Sequence, residues 1–164
     1  NTFNMPNYAV HVQHGQPRTE NCDEEYLIAF DISQQNSSRK RVQKIYEQFQ
    51  YCVEHGFFAA LPTGFIISKG NIESGQYHKP DYLFNVINGR CDSEFLFEKP
   101  AGKYAIIDHK GSRENISASY EKLKSYIMQN QLTIIGNGYE FELLNYMTTG
   151  NPENYIIEIA IEVK

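Results

Sequence analysis

Apolar residues along the chain fall into two alternating patterns. Tyr26-Leu27-Ile28-Ala29-Phe30 is a compact run of strand length, and Tyr104-Ala105-Ile106-Ile107 is its counterpart 78 residues later. Between residues 40 and 56, Val42, Ile45, Tyr46, Phe49, Cys52 and Val53 recur every three or four positions. That spacing places them on one face of a helix, which Gly56 ends. Ile116, Tyr120, Leu123 and Ile127 repeat the pattern, opened by Ser112 with Asn115 three residues on as an approximate cap. Strands are predicted after the first helix at 65–68 and 82–87, and after the second at 139–144 and 155–163. The connections 70–80 and 145–154 carry the Gly, Pro and Asn of hairpin loops. Each half thus reads β-α-β-β.

The halves are copies of one another. Tyr46 and Tyr120 are 74 residues apart, as are Gly64 and Gly138, and Val53 then falls on Ile127. The closing run Tyr82-Leu83-x-x-Val86-Ile87 falls on Ile156-Ile157-x-x-Ala160-Ile161 without a gap. The expected fold class is α+β: two pseudo-symmetric β-α-β-β repeats with antiparallel sheets, helices on one face and a ligand cleft at the seam. Repeat one spans 26–88 and repeat two 103–164. The connector 89–102 adds a short strand around Glu94–Glu98, and 1–25 reads as a linker or N-terminal arm with one short strand at 8–12. A sheet covered by a helix on one face needs shelter on the other, so the two units are expected to meet there and to leave a cleft between them.

At one position the copies disagree in a way that suggests chemistry. Ile66 maps onto Glu140, and a carboxylate buried alone costs several kcal/mol, so Glu140 is either exposed or put there for a purpose. Along Tyr139-Glu140-Phe141-Glu142-Leu143 the period of two puts the apolar residues on one face, expected to pack on the helices. Glu140 and Glu142 then point either to water or into the seam. Tyr46 on the first helix and Tyr155 at the start of the last strand could line that seam, or pack in the core with their hydroxyls reaching the surface. Phenol rings attract cations by about 0.5–2 kcal/mol each, and a nearby carboxylate adds to this. Such a receptor prefers a bulky aromatic cation with spread charge over a compact ammonium, which loses more by shedding water.

Composition narrows the classes. A chain of 164 residues with 41% hydrophobic content supports one well-cored domain. The net charge of −5 gives no electrostatic footprint for nucleic acid. Cys22, Cys52 and Cys91 are odd in number and never paired as CxxC, so neither a disulfide frame nor a zinc site is expected, and the compartment is expected to be reducing and cytoplasmic. His11 and His14 lack further ligands at metal-binding spacing; no metal and no cofactor is expected. No stretch approaches the roughly 18 apolar residues of a membrane span, and no leader opens the chain. The first residue is Asn1 rather than Met, which points to a piece of a longer protein or a processed chain.

The run Ala101-Gly102-Lys103-Tyr104-Ala105-Ile106-Ile107, the helix Ser119-Tyr120-Glu121-Lys122-Leu123, the strand Gly138-Tyr139-Glu140-Phe141 and the ending Ile157 to Lys164 resemble the GyrI-like ligand-binding domain. That domain forms the effector-sensing part of many bacterial MerR-type and AraC-type transcription activators, and the resemblance is closest to the multidrug-responsive MerR-type branch. It implies a site for small hydrophobic or cationic ligands in which Glu140 meets the cation, with Tyr46 and Tyr155 beside it. Aromatic positions of the branch fall near Thr63, Gly111 and Ile116, and Glu142 stands where an apolar residue is expected. The resemblance also implies that DNA is contacted only through a winged helix-turn-helix domain, which residues 1–25 do not encode, and that the full-length protein is a homodimer. The chain is then the sensor half of a regulator or a stand-alone member. Two other functions compete: a hydrolase using Glu140 with Tyr155, and a protein-binding module like the gyrase-inhibiting relatives.

Overall fold

A computed structural model describes residues 15–35, 37–57, 60–144 and 149–164 of the chain. The short strand expected at 8–12, with His11 and His14, lies outside the described residues. The described residues form eight strands: β1 (Arg18–Cys22), β2 (Glu25–Asp31), β3 (Ala60–Ile67), β4 (Tyr82–Ile87), β5 (Leu96–Lys99), β6 (Gly102–Lys110), β7 (Ile134–Leu144) and β8 (Ile156–Val163). Three helices accompany them: α1 (Ser38–Glu54), α2 (Lys69–Glu73) and α3 (Ile116–Gln129). A one-turn 3-10 helix, Arg113–Asn115, leads into α3; its expected cap Ser112 makes no side-chain capping bond. Ser37 does cap α1, its hydroxyl accepting from the Lys40 N–H at 3.2 Å.

The strands form one antiparallel sheet in the order β1-β6-β8-β7-β3-β4-β2-β5. The two halves therefore join edge to edge, through β3 and β7, and do not meet across their helix-free faces as expected. That face is closed by the sheet itself, which curls into a half-barrel. Lys99 on β5, at one end of the strand order, holds its Nζ 3.9 Å from the ring centroid of Tyr104 on β6, near the other end. Leu27, Ile66, Phe84, Tyr104, Tyr139 and Phe141 fill the inside of the curl. Burial by self-closure removes the need for a second layer.

The register at the junction is symmetric. Phe65 pairs with Glu140 and Ile66 with Tyr139, and a shift of 74 residues turns the first pair into the second. The same shift turns Gly64–Phe141 into Ile67–Gly138. Further out the repeat slips. Ile66 pairs with Tyr82, but its mate Glu140 pairs with Ile159, three residues beyond the Ile156 that the gapless match assigned to Tyr82. Phe30 pairs with Leu83 and Ile106 with Ala160, so Phe30 corresponds to Ile106 rather than to the residue 78 positions on. Both slips pass unnoticed in sequence because strands buried on both faces read as continuous apolar runs, which encode register weakly.

Two elements were missed. β1 lies within the segment read as a linker and pairs with β6, anchored by an ion pair from Arg18 Nη1 to Asp108 Oδ2 at 2.8 Å. α2 occupies part of the presumed hairpin loop, and its Ile72 is fully buried against Gly138 within β7.

The helices share one face of the sheet but use their apolar stripes differently. α3 buries Ile116, Tyr120, Leu123 and Ile127 against Ala105, Ile107, Ile157 and Ile159. α1 buries only Gln48 and Cys52. Of the stripe expected to be its core face, Cys52 is buried but Val42, Ile45, Tyr46, Phe49 and Val53 are exposed. α1 has a second packing face: Tyr51 meets Phe95 edge-on at 5.1 Å and Phe30 at 5.8 Å, and Gln48 Nε2 donates to the Leu83 carbonyl at 3.0 Å. Periodicity identifies a helix and its stripes; the docking partner decides which stripe turns inward.

Candidate functional site

The β3–β7 junction lies between α1, which packs on β2 and β4, and α3, which packs on β6. Paired residues share a face, so Phe65, Glu140, Thr63 and Glu142 all project to the helix side. Tyr139 and Phe141 line the inside of the curl. This corrects the expected packing of β7: its carboxylate face, not its apolar face, is turned to the helices. Close approach of the two strands requires Gly64, where a Cβ would run into the Glu140 carbonyl.

Glu140 is 1% exposed, and its carboxylate accepts from donors on two residues. Arg113 grips it with both arms, Nε to Oε1 at 2.7 Å and Nη2 to Oε2 at 3.1 Å. The Tyr120 hydroxyl adds a third bond, to Oε2 at 2.5 Å. The Arg113 guanidinium also lies over the Phe65 ring, 5.0 Å from its centroid, and donates to the Tyr77 carbonyl at 2.8 Å. Burial alone would lower the pKa of Arg113, but the facing Glu140 carboxylate wins and raises it. Burial, reinforced by Glu140, holds the Tyr120 phenol well above its ordinary value, so it acts here as a donor.

Further contacts lead from Tyr120 outward to Tyr77, Glu121 and Lys124. Tyr77 stacks on Tyr120 with centroids 4.5 Å apart and planes 3° from parallel. Its hydroxyl donates to Glu121 and accepts from Lys124 Nζ at 2.9 Å. The site thus holds two ion pairs, Glu140 with Arg113 and Glu121 with Lys124. Burial, then the bond to Glu121, raises the Tyr77 pKa. No group of three or more His, Cys, Asp or Glu positioned for a metal occurs among the described residues.

The structure brings Glu140, Glu142 and Thr63 together: Thr63 and Glu142 are direct cross-strand partners and both are half-buried. Tyr46 is exposed on α1. Ile116 opens α3 and is fully buried in the core beneath it. Tyr155 immediately precedes β8, half-buried, its carbonyl accepting from the Gly111 N–H at 2.7 Å. Sequence reasoning missed Arg113, Tyr120 and Phe65 as partners of Glu140, and Tyr77 behind them. The repeat held a signal for one of them, since Tyr120 is the mate of Tyr46. A lone arginine in a turn carries none.

The GyrI-like small molecule binding domain model matches residues 30–164. The chain belongs to that family. Its fold recurs in EcmrR, solved in complex with DNA, at 15% identity and a TM-score of 0.66, covering 91% of this chain and 57% of that one. The EcmrR C-terminal domain alone matches at 14% identity and a TM-score of 0.63, with 91% and 97% coverage. This GyrI-like chain thus spans little more than half of the longer EcmrR chain. A hydrolase from Listeria innocua matches at 11% identity, with 94% and 95% coverage and a TM-score of 0.58. SAV2435 bound to tetraphenylphosphonium matches at 16% identity, with 91% and 94% coverage and a TM-score of 0.51. No curated protein sequence matches the GyrI-like chain. No described helix is long and apolar enough to cross a membrane.

Proposed function

We propose that this GyrI-like chain is the effector-sensing domain of a bacterial, cytoplasmic transcription regulator, and that it takes hydrophobic cations over the β3–β7 junction between α1 and α3. The observation that carries this reading is the setting of Arg113: a planar, delocalised cation held by a buried carboxylate and lying on an aromatic ring. Those are the contacts a bulky aromatic cation needs. The chain's own guanidinium stands in for the guest and must move aside for it, which couples ligand binding to the turn before α3. Thr63 and Glu142, on the same sheet face as Glu140, would contact the guest together with Tyr155, and Ile116 would support it from the core. SAV2435 with tetraphenylphosphonium and EcmrR with DNA lend support, and DNA would be contacted here by another domain.

The test is calorimetric titration of tetraphenylphosphonium into wild type, Arg113→Ala and Glu140→Gln. Removing the internal competitor should tighten binding roughly tenfold or more, and removing the carboxylate should abolish it. Equal affinity in all three proteins would overturn the reading. The match to a hydrolase raises a second possibility, with Glu140 as general base. Both oxygens of Glu140 already accept strong bonds from Arg113 and Tyr120, which leaves it poorly placed to activate water.

A further inference from the structure

Within the connection from α2 to β4, residues 74–79 run over the surface with one exception. Ser74, Gly75, Gln76, His78 and Lys79 are exposed, whereas Tyr77 is 3% exposed. Loops have little to bury, so one buried aromatic in an exposed stretch pins that stretch to what lies beneath it. Here that is the Glu140 site. The Tyr77 ring stacks on Tyr120, whose hydroxyl donates to Glu140.

The backbone of the loop is tied to the same place. Arg113 Nη2 donates to the Tyr77 carbonyl at 2.8 Å and to Glu140 Oε2 at 3.1 Å. One nitrogen thus holds both the carboxylate and the loop, so Arg113 cannot leave Glu140 and keep its grip on Tyr77 unchanged. The next residue reaches both repeat helices. The His78 carbonyl accepts from Arg41 Nη2 of α1 at 3.4 Å, and its Nε2 lies 3.3 Å from Ser117 Oγ of α3. Gly75, with φ at 75°, gives the backbone a flexible point on the α2 side of Tyr77.

We propose that residues 74–79 are a switch segment that guest binding releases. Arg113 latches the segment through the Tyr77 carbonyl, and a guest that takes the place of Arg113 on Glu140 undoes the latch. This rests on the reading of Arg113 as stand-in for the guest, and adds where the signal goes: from the carboxylate, through Tyr77, to the His78 link between α1 and α3. Losing one bond from a charged donor raises the open population about tenfold to a hundredfold.

Amide hydrogen exchange of the 164-residue chain, read by NMR at Gln76 and Lys79, tests this. Both amides are bonded in the closed loop, Gln76 N–H to the Asn71 carbonyl at 2.7 Å and Lys79 N–H to the Gln76 carbonyl at 3.3 Å. Arg113→Lys keeps a cation for Glu140 but removes the second arm that reaches Tyr77. It should speed exchange at both amides about tenfold or more while the amides of β6 keep their wild-type rates. Saturating tetraphenylphosphonium should do the same to the wild type. Unchanged exchange in Arg113→Lys overturns the latch, whether or not the phosphonium binds. An equal rise in β6 overturns it too, because the loop then opens only with the whole fold. Phosphonium that binds the wild type by calorimetry yet leaves both amides protected overturns the release step and spares the ligand site. Phosphonium that does not bind sinks the ligand reading and the release step with it, whereas faster exchange in Arg113→Lys still supports the latch.

Discussion

Arg113 and Glu140 form a bidentate pair across 27 residues of sequence, with the carboxylate fully buried and the guanidinium mostly buried at the entry to α3. Alignment of both N–H arms with both oxygens fixes the turn before α3 against β7, joining a loop to the centre of the sheet. Breaking one side leaves a buried charge unmet. Glu140→Gln should therefore destabilise the fold by about 3 kcal/mol, and Arg113→Met by a similar amount. The double variant Glu140→Gln with Arg113→Met should cost less than the sum. Urea denaturation of the four proteins gives the coupling, and strict additivity would show that the pair does not act as a unit.

Tyr120 supplies the third bond to Glu140 and stacks on Tyr77. Tyr120→Phe keeps the stacking and the shape while removing one donor to a charged acceptor. A loss of about 1.5–3 kcal/mol is expected in the same denaturation experiment, with the melting curve still cooperative.

Gly64 and Gly138 are repeat mates that differ in what crowds them. A Cβ at Gly64 would meet the Glu140 backbone, whereas at Gly138 it would meet the Ile72 Cδ1 at 2.8 Å, the end of a side chain. Backbone in a paired strand cannot give way without opening the ladder, but an isoleucine tip can shift by rotamer. Gly138→Ala should cost about 1–2 kcal/mol, and Gly64→Ala distinctly more, enough to lower soluble yield as well as melting temperature. Equal effects would mean that the strand separation at the junction is not set by Gly64.

Burial, with Asp108 close by, pushes the Glu158 carboxyl up to about 7, against the opposing pull of Arg18 and Lys99 and with Glu20 adding to the rise. Between its ordinary 4.5 and about 7 the folded chain holds a proton that the unfolded chain has released. The folded state is thus favoured most below that window, and the advantage disappears as pH rises through it. Wild-type stability should fall by about 2 kcal/mol from this group between pH 5 and pH 8, and Glu158→Gln should flatten the slope. A slope unchanged in Glu158→Gln would place its origin elsewhere.

Much of this molecule was legible from pattern. The helices at α1 and α3, the strands β2, β4, β6 and β8, the 74-residue repeat and the anomaly at Glu140 all follow from spacings of two or of three to four, which depend on backbone geometry within one segment. What was not legible follows from contacts between segments. The outer-strand register slipped by odd and even steps because apolar neighbours are interchangeable to a hydrophobic pattern. Arg113 gave no sign because an ion pair is a property of two places in space.

Sequence alone determined that two related β-α-β-β units exist, that Glu140 breaks the match between them, and that each helix bears an apolar stripe. Those are local or self-comparing properties, carried by side-chain period and chain repetition. Tertiary structure decided that the units fuse through β3 and β7 into one curled sheet, that Glu140 is answered by Arg113 and Tyr120, and that one stripe turns inward while its twin turns out. The physical reason is that burial, charge pairing and helix roll are settled by whichever partner surface is present, and two nearly identical segments are given different partners by the fold around them.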